Sequence, residues 1–263
     1  MFERVVELKV GETEIIGLDI AFEIEKDLTT EPNPCHVDIF NLCPENRTTL
    51  SKYKRVPVVL KAGYKDSVGV IFKGDMVRCN HIKEEASWKT TLSCGDGATA
   101  IQTKRTNKSY AKGTPVKTVV GDLAKQLHLP PGNADNQLSK LNAALGRSLS
   151  ISTSPMLAIA HILRGQNMNA SVQNGALQIL KKGQALQKEA ISLSAESGLM
   201  SSPEIGKKGE VVIKARLMPE FAPGRLVHID SAMYKGFVVI QKARFAGANF
   251  GEEWECELEC KAR

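Results

Sequence analysis

The chain has 263 residues, of which 42% are hydrophobic and 24% are charged, and its formal net charge is +6. These values are close to the average for globular proteins and exclude wholesale disorder, and the length allows one large domain or two to three small ones. The positive charge permits an anionic partner without requiring one. Aromatic residues, at 5%, are too few to favour a protein that stacks nucleic-acid bases.

Residues 1–96 predict closely spaced strands. Runs such as RVVELKV, CHVDIFNL and GVIFKGDMVRCNHI are separated by turn-rich pieces such as TTEPNP and CPENRTT, without gaps long enough for a helix. This spacing is typical of an antiparallel barrel or sandwich. RVPVVLKAGY in this stretch and GEVVIKARLM nearer the C-terminus are interpreted as unblunted edge strands, available for pairing with another subunit.

Residues 97–186 change to helical periodicity. The run TPVKTVVGDLAKQL predicts a helix with Thr114 as its N-cap, Pro115 at its first position and one apolar stripe. The run SPMLAIAHILRG has the same serine-proline or threonine-proline start and ends at a glycine. Asn174-Gly175 then predicts a tight hairpin. We therefore expect a compact α+β domain, in which the segment between the two helices is a long surface connection.

Residues 187–263 return to strands, and a hairpin is their clearest feature. Pro223-Gly224 precedes the alternating run LVHID, and Lys235-Gly236 turns the chain into FVVI. These turn residues define where each strand begins and therefore fix the register of the hairpin.

The last strand, EWECELEC, alternates between apolar and acidic residues. It is predicted to bury Trp254 together with the cysteines and leucine that follow at every second position. The same alternation directs Glu255, Glu257 and Glu259 to the opposite face of the sheet.

Motifs for catalysis are missing from the sequence. There is no Gly-x-Ser-x-Gly, no pair of histidines at metal-binding spacing and no complete phosphate-binding loop. The adjacent glutamates at 84–85 and 252–253 are interpreted as solvated turn residues, and the basic run KRTNKSYAK as a linker. We therefore expect no enzyme activity, no cofactor, no metal and no small-molecule substrate.

Six cysteines are present, and none forms a Cys-x-x-Cys pair. Cys256 and Cys260 lie four strand positions apart, about 13 Å between Cα atoms, which is too far for a disulfide. We expect all six thiols to be free and unmetallated. The sequence has no apolar run of ~20 residues and its charged start lacks a signal peptide, so we expect a soluble protein made in the cytoplasm.

Turn and packing residues in the last 70 positions occur in a characteristic order. A Gly-Leu-x-x-Ser-Pro segment precedes a strand ending in Leu-x-Pro, and a Pro-Gly-x-Leu-Val strand, a glycine-centred hairpin and a Gly-x-x-Trp strand follow. The positions concerned are Gly198, Leu199, Ser202, Pro203, Leu217, Pro219, Pro223, Gly224, Leu226, Val227, Gly236, Gly251 and Trp254. This order resembles the baseplate or tail hub proteins of contractile-tailed bacteriophages. The sequence departs from that pattern at Ala246 or Ala248, where many relatives carry an aspartate.

The resemblance implies a mainly β fold with an α+β insert. Two tail-tube-like β-barrel domains, residues 1–96 and 187–263, would flank a small helix-plus-hairpin domain at 97–186. It also implies a structural protein of the virion, located in the tail baseplate and synthesised in the host cytoplasm. Its expected partners are two further copies in a homotrimer, the tail tube protein, the central spike and neighbouring baseplate proteins.

In such a hub DNA passes through the lumen without specific binding. We expect Glu255, Glu257 and Glu259 to face this channel, where carboxylates repel DNA phosphates; the alternative is ordinary solvent exposure outside the ring. Three other interpretations stay open. One is an OB-like nucleic-acid- or glycan-binding module, which predicts exposed aromatic residues on a strand face. The second is a different tail-tube or baseplate component, such as a tube initiator, and the third is a peptidoglycan hydrolase of the tail, which requires a catalytic carboxylate pair in a cleft.

Overall fold

A computed structural model describes residues 3–206 and 209–263. The chain divides into two compact units, and the first contains both ends of the sequence. This first unit comprises the chain up to Asp27, Asn33–Asp96 and Ala185–Arg263. The second comprises Leu28–Pro32 and Gly97–Gln184.

The elements follow one another in three groups. The first group is β1 (Arg4–Val10), β2 (Thr13–Ile15), β3 (Ile20–Lys26), β4 (Pro34–Phe40), α1 (Pro44–Lys52), β5 (Pro57–Tyr64), β6 (Ser67–Glu84) and β7 (Ser87–Gly95). The second is α2 (Ala98–Thr103), β8 (Thr106–Tyr110), α3 (Val116–Leu127), α4 (Ala134–Ser139), β9 (Leu149–Thr153), α5 (Pro155–Arg164), β10 (Met168–Gln173) and β11 (Ala176–Lys181). The third is β12 (Ala190–Ser194), β13 (Glu204–Ile205), β14 (Glu210–Arg216), β15 (Leu226–Asp230), β16 (Lys235–Ala248) and β17 (Trp254–Ala262).

The strands of the first unit form one 13-stranded sheet. Its main path runs β13-β14-β17-β16-β3-β4-β7-β6-β5-β1-β2, with β15 beside β16 and β12 beside β15. The mainly β fold with an α+β insert is confirmed. Two separate barrels are not: β16 from the C-terminal stretch pairs with β3 from the N-terminal stretch, and no closed barrel is found among the described residues.

Alternation of side chains explains why one face of this sheet is apolar. In β17 Trp254, Cys256, Leu258 and Cys260 are buried, as predicted, while the glutamates between them are partly or fully exposed. Buried residues of the N-terminal and C-terminal strands belong to a single hydrophobic cluster. The core of the first unit is therefore shared between both ends of the chain.

The prediction that RVPVVLKAGY is an open edge is wrong. This run forms β5, which pairs with β1 on one side and with β6 on the other along its whole length. The second predicted edge, β14, pairs fully with β17, and its other side is partly covered by β13 and by a hydrogen bond from the Met200 N–H to the Lys214 carbonyl. The true edges of the sheet lie elsewhere.

The second unit contains the predicted helices. The expectation that the N-terminal stretch has none is wrong, since α1 begins at Pro44 in the piece interpreted as a turn. The helix α3 begins at Val116, one residue later than expected, with Pro115 in the cap position, and the Thr114 hydroxyl donates to the Ala111 carbonyl instead of capping it. The helix α5 begins at Pro155, directly after the predicted cap residue Ser154. The Ser154 hydroxyl, however, donates to the Ile101 carbonyl.

Asn174 and Gly175 form the turn between β10 and β11, and both have positive φ angles, 50° and 76°, as a two-residue hairpin of this type requires. The stretch expected to be a surface connection contains the short helix α4, which buries Ala134 and Leu138. Within the described part of the chain, no helix combines the length and the apolar character needed to cross a membrane.

Candidate functional site

The first unit contains the same strand arrangement twice. In one half the neighbours follow the order β3-β4-β7-β6-β5, and in the other they follow β13-β14-β17-β16-β15, with every adjacent pair antiparallel. In the first half the next strand beyond β5 is β1, which is antiparallel to it. In the second half the next strand beyond β15 is β12, which is parallel to it. We call β1–β7 the first module and β12–β17 the second module.

The sequence repeats at the centre of the two modules. A Trp-x-x-x-Leu-x-Cys run begins at Trp88 in β7 and again at Trp254 in β17. The neighbouring long strands repeat as well, since β6 has an irregularity immediately after Met76, which pairs with Cys94. In β16 the same irregularity follows Ile240, which pairs with the corresponding cysteine of β17. Sequence reasoning missed this repeat, which the two tryptophan runs could have revealed.

The modules join where Ala21–Lys26 of β3 pairs with Ala243–Ala248 of β16, and we call these paired segments the seam. The strand β16 reaches it by changing partners, from β15 in its first half to β3 in its second. On the apolar face of the seam Phe245 lies opposite Ile24, and both are fully buried. The seam therefore continues one hydrogen-bonded layer from the second module into the first.

Trp254 packs against the first module at the end of the seam. Its ring meets that of Phe22 edge-on at 5.8 Å between centroids and that of Tyr64 at 6.3 Å, and the Arg4 guanidinium lies 5.3 Å from the ring centre. A Cβ at Gly247 would lie 2.7 Å from the Phe22 ring and 2.9 Å from the Trp254 ring. Only glycine leaves room for these two rings against the strand.

Arg4 also holds the loop between β16 and β17. Its guanidinium donates hydrogen bonds to the carbonyl oxygens of Ala248 and Glu252, at 3.1 and 3.2 Å, and at closer range to that of Gly251. A Cβ at Gly251 would lie 2.7 Å from the Ala248 methyl, so the loop is tight there. Of the two positions where a departure from the family pattern is expected, Ala246 or Ala248, the second therefore contacts Arg4 directly through its carbonyl.

The three glutamates of β17 lie on the face of the sheet opposite the core. They are flanked by basic side chains of the adjoining strands, and β3 beyond β16 is acidic again. The basic residues are Lys214 and Arg216 on β14 and Lys242 and Arg244 on β16, and the acidic residues of β3 are Glu23 and Glu25. This surface, which we call the charged face, alternates in sign from strand to strand.

Ion pairs bind the charged face together across the seam. Arg244 Nε lies 2.7 Å from a Glu23 oxygen, and Lys242 Nζ lies 2.9 Å from a Glu25 oxygen. Each carboxylate raises the pKa of its basic partner. Glu255 lies 4.0 Å from Lys214, whereas Glu257 and Glu259 make no ion pair with the described residues. The face is therefore a mosaic and not a uniformly acidic surface.

The predicted turn residues lie around the second module. Gly198 has a φ of 122° and its carbonyl accepts a hydrogen bond from the Arg216 N–H; Gly224 has a φ of 91° and its N–H donates to the Ile240 carbonyl. Pro203 and Pro223 are buried, and Gly236 lies opposite Ile229 in the pairing of β15 with β16. Pro219 packs closely against Gly69, where an added Cβ would lie 2.6 Å from the proline ring.

A buried lysine was not anticipated from the sequence. Lys26 is 2% exposed and lies 5.7 Å from the centre of the Phe245 ring, at one end of the seam. Burial lowers its pKa to about 8, against the opposing effect of Asp96. The signal was present in IAFEIEK, since Lys26 continues the apolar register of Ile20, Phe22 and Ile24.

No chemical centre accompanies these contacts. Among residues 3–206 and 209–263 no three potential metal-ligating side chains come together. His81 has structural partners, Ser51 Oγ at 3.0 Å and Thr90 Oγ1 at 2.9 Å. Burial raises the pKa of Cys256 and of Cys260 to about 12, so both thiols are held in the neutral form. The OB-like alternative required exposed aromatic residues on a strand face, and Phe237 alone meets that description in the described strands.

Comparison with known proteins agrees with this architecture. The family described as "Baseplate hub gp41" matches residues 4–246. No curated protein sequence matches the chain. Among solved structures, the 43 kDa tail protein of prophage MuSo2 from Shewanella oneidensis aligns with 98% of this chain and 97% of its own, at 10% identity and a TM-score of 0.69.

Two further structures share the fold. The tail protein from Neisseria meningitidis MC58 aligns with 99% of this chain and 97% of its own, at 13% identity and a TM-score of 0.69. An Escherichia coli component of the type VI secretion system, described as similar in structure to the T4 tail proteins gp27 and gp5, aligns with 97% of this chain and 76% of its own, at 10% identity and a TM-score of 0.65. At such identities the likeness concerns the fold.

Proposed function

This chain belongs to the baseplate hub gp41 family, and from that premise we propose that it is the hub of a phage tail baseplate, linking the tail tube to the central spike. Three copies form a ring, and each contributes two tail-tube-like modules. The ring presents six similar modules to the tube and a threefold arrangement to the spike. The protein acts through geometry, as a structural part of the virion.

The repeated strand order is the observation that carries this proposal. Two modules with the same order and the same irregularity in register are joined side by side through the seam. A layer that continues from module to module within one chain can continue between chains and so close into a ring. The domain division at 1–96, 97–186 and 187–263 fits this scheme, with residues 97–186 as an insert between the modules.

The charged face is proposed to line the channel. One face of the joined layer carries the hydrophobic core, which needs the larger space outside a ring. The opposite face carries the side chains of Glu255, Glu257 and Glu259. Alternating charges leave no continuous basic stripe along which DNA phosphates could bind. The unpaired carboxylates of Glu257 and Glu259 oppose binding further.

The partners follow from the same geometry. The structural likeness to a type VI secretion component that is itself similar to T4 gp27 and gp5 supports a tube-like ring that meets a spike. We assign the two open ends of the ring to the tail tube protein and the spike, and the second unit to neighbouring baseplate proteins. DNA passes through without specific contacts.

The copy number in the particle tests the proposal. Electron cryomicroscopy of the baseplate is expected to show three copies of this chain around the tail axis, with the charged face towards the lumen. Six or twelve copies, or a position away from the axis, would refute the hub assignment. Three axial copies with Glu257 on the outer surface would refute the channel lining alone.

A further inference from the structure

A cavity of about 930 Å³ opens at the end of the seam where Trp254 lies. Its walls come from the start of β1, the end of β5, the end of β14 and the loop between β16 and β17. The side chains that line it include Glu3, Arg4, Tyr64, Arg216, Asn249 and Phe250. A space of this size accommodates a drug-sized ligand or a short peptide segment, and it is far larger than a single ion requires.

The loop that forms one wall is held in place from two sides. Arg4 donates hydrogen bonds to three carbonyl oxygens at this loop. Asn249 fastens it to the segment entering β3, since its side chain donates to the Leu18 carbonyl at 2.7 Å and accepts from the Ile20 N–H at 2.8 Å. Between these anchors Phe250 is 75% exposed. A wall that is already ordered costs little conformational entropy when a ligand binds to it.

Two guanidinium groups line the same cavity. The Arg216 N–H donates to the Gly198 carbonyl, and its side-chain stem passes over Gly198, where an added Cβ would lie 3.5 to 3.8 Å from the stem carbons. Arg4 uses three of its five N–H groups on the loop carbonyls, and the other two have no hydrogen-bond partner among the described residues. Glu3 is paired with Lys65 at 2.9 Å, so its carboxylate is engaged outside this pair of arginines.

Tyr64 shows that the two positive charges lie close together. Burial raises the pKa of its phenol, and the charges of Arg216 and Arg4 oppose that rise. Both guanidiniums are therefore near enough to act on one hydroxyl oxygen. The ring of Tyr64 meets that of Trp254 edge-on at 6.3 Å, which connects the cavity to the buried side of the seam. The cavity thus combines concentrated positive charge with two aromatic side chains, Tyr64 and Phe250.

From this arrangement we infer that the cavity binds a short acidic segment of another protein, with a carboxylate on Arg4 and Arg216 and a neighbouring apolar side chain against Phe250. Guanidinium and carboxylate match in charge and in planar geometry. Phosphate offers arginine the same chemistry, but a free ion would leave most of the cavity and the exposed Phe250 unoccupied. The inference rests on the proposed function only for where the partner is found, among neighbouring baseplate proteins; the cavity and its chemistry are argued from this chain alone.

Peptides test the requirement for a carboxylate. Two libraries of acetylated and amidated tetrapeptides, with aspartate or asparagine fixed at the second position and the others randomised, are incubated with the full chain, and retained peptides are counted by mass spectrometry. We expect the aspartate library to be retained at least about tenfold more strongly, with apolar residues enriched beside the aspartate. Equal retention, or none from either library, overturns the inference. Displacement of all peptides by inorganic phosphate without any enrichment of apolar residues would show a site for a free anion only.

Fluorescence locates the bound peptide. Trp88→Phe leaves Trp254 as the sole tryptophan of the chain, with the Arg4 guanidinium 5.3 Å from its ring centre. The best retained aspartate peptide is expected to change the emission of Trp254 saturably, and its asparagine counterpart should do so at least about tenfold more weakly. Retention of the peptide with unchanged emission would place it elsewhere on the protein and overturn the assigned site.

Matched variants separate the site from general charge attraction. Arg216→Gln should weaken binding at least about tenfold, whereas Lys214→Gln, which removes the same charge from the same face of β14 outside the cavity, should not. Phe250→Ala should weaken binding and leave the unfolding midpoint unchanged; its control is Met233→Ala, at a turn where the side chain is 72% exposed. Equal losses in the two β14 variants would overturn the site. The copy number in the virion decides the proposed function separately, whatever the peptides do.

Discussion

Trp88 and Trp254 occupy equivalent positions in β7 and β17, yet Trp254 is 5% exposed and Trp88 is only half-buried. The residues that cover Trp254, namely Phe22, Tyr64 and Arg4, belong to the other module. Trp88 has the Arg47 guanidinium 4.1 Å from its ring centre and, among the described residues, no aromatic partner from the second module. The asymmetry shows that the burial of Trp254 depends on side chains from across the seam.

Replacing each tryptophan by alanine should therefore have unequal effects on the isolated chain. Trp254→Ala removes a buried ring at the seam and is expected to lower the free energy of unfolding by about 3–5 kcal/mol. Trp88→Ala should lower it by less than about 2 kcal/mol, since the ring is partly solvated and loses chiefly its contact with Arg47. Urea unfolding followed by circular dichroism measures both; equal losses would contradict the asymmetry.

Gly247→Ala tests the close packing of the seam. The added methyl would meet the Phe22 and Trp254 rings at less than 3 Å, and we expect a loss of about 1–3 kcal/mol in the free energy of unfolding. Gly121→Ala is the matched control, because Gly121 lies within α3 with open space around its Cβ position. The control should be neutral or stabilising by up to about 1 kcal/mol. A neutral Gly247→Ala would show that the rings can move aside.

The ion pair between Arg244 and Glu23 spans positions 221 apart in the sequence. Both side chains are partly exposed, so a double-mutant cycle to alanine should give a coupling of about 0.2–1 kcal/mol at low salt. The coupling should shrink in 1 M salt, where the screening length falls to about 3 Å. A cycle between Arg244 and the distant Glu45 serves as the control and should give none. A coupling free energy that does not change with salt would show that the interaction between Arg244 and Glu23 is not electrostatic.

Lys26 makes stability depend on pH. Its pKa is lowered from 10.5 to about 8 in the folded protein, so between these values the unfolded chain binds the proton and the folded chain does not. The contribution of Lys26 to the free energy of unfolding is therefore lowest below pH 8, and it rises by about 3 kcal/mol as the pH increases to 10.5.

Thiols that ionise in the unfolded chain act in the opposite direction over the same range, so the wild type is compared with Lys26→Met. The free energy of unfolding of the wild type should rise relative to that of the variant between pH 8 and 10.5, whatever their difference at pH 7. A difference that stays constant across this range would show that burial does not lower the pKa of Lys26.

The thiols should react according to their burial. Cys43 is exposed, Cys79 is half-buried and the other four are buried, and all six are free. We expect rapid labelling of one thiol in the native protein and of six after unfolding without reductant, with no stoichiometric zinc. A count of four in the unfolded state would reveal a disulfide.

Sequence alone determined which stretches form strands and which face of each strand is buried. The alternation in EWECELEC placed Trp254 inside and Glu257 outside, the Asn174-Gly175 pair set a hairpin, and a proline marked the start of α5. Each of these rests on local sterics or on a period of two residues, which short segments carry by themselves. The turn residues at the C-terminal end were likewise sufficient to indicate the family.

Tertiary structure decided which strands are neighbours. Alternation states that β5 and β16 each have an apolar face, but not that β5 is covered on both edges or that β16 leaves β15 for β3. Those pairings join segments far apart in the chain, and they depend on how all the strands share one core, which no short window of sequence contains. The same holds for the charged face, because the bases that offset Glu255 come from other strands.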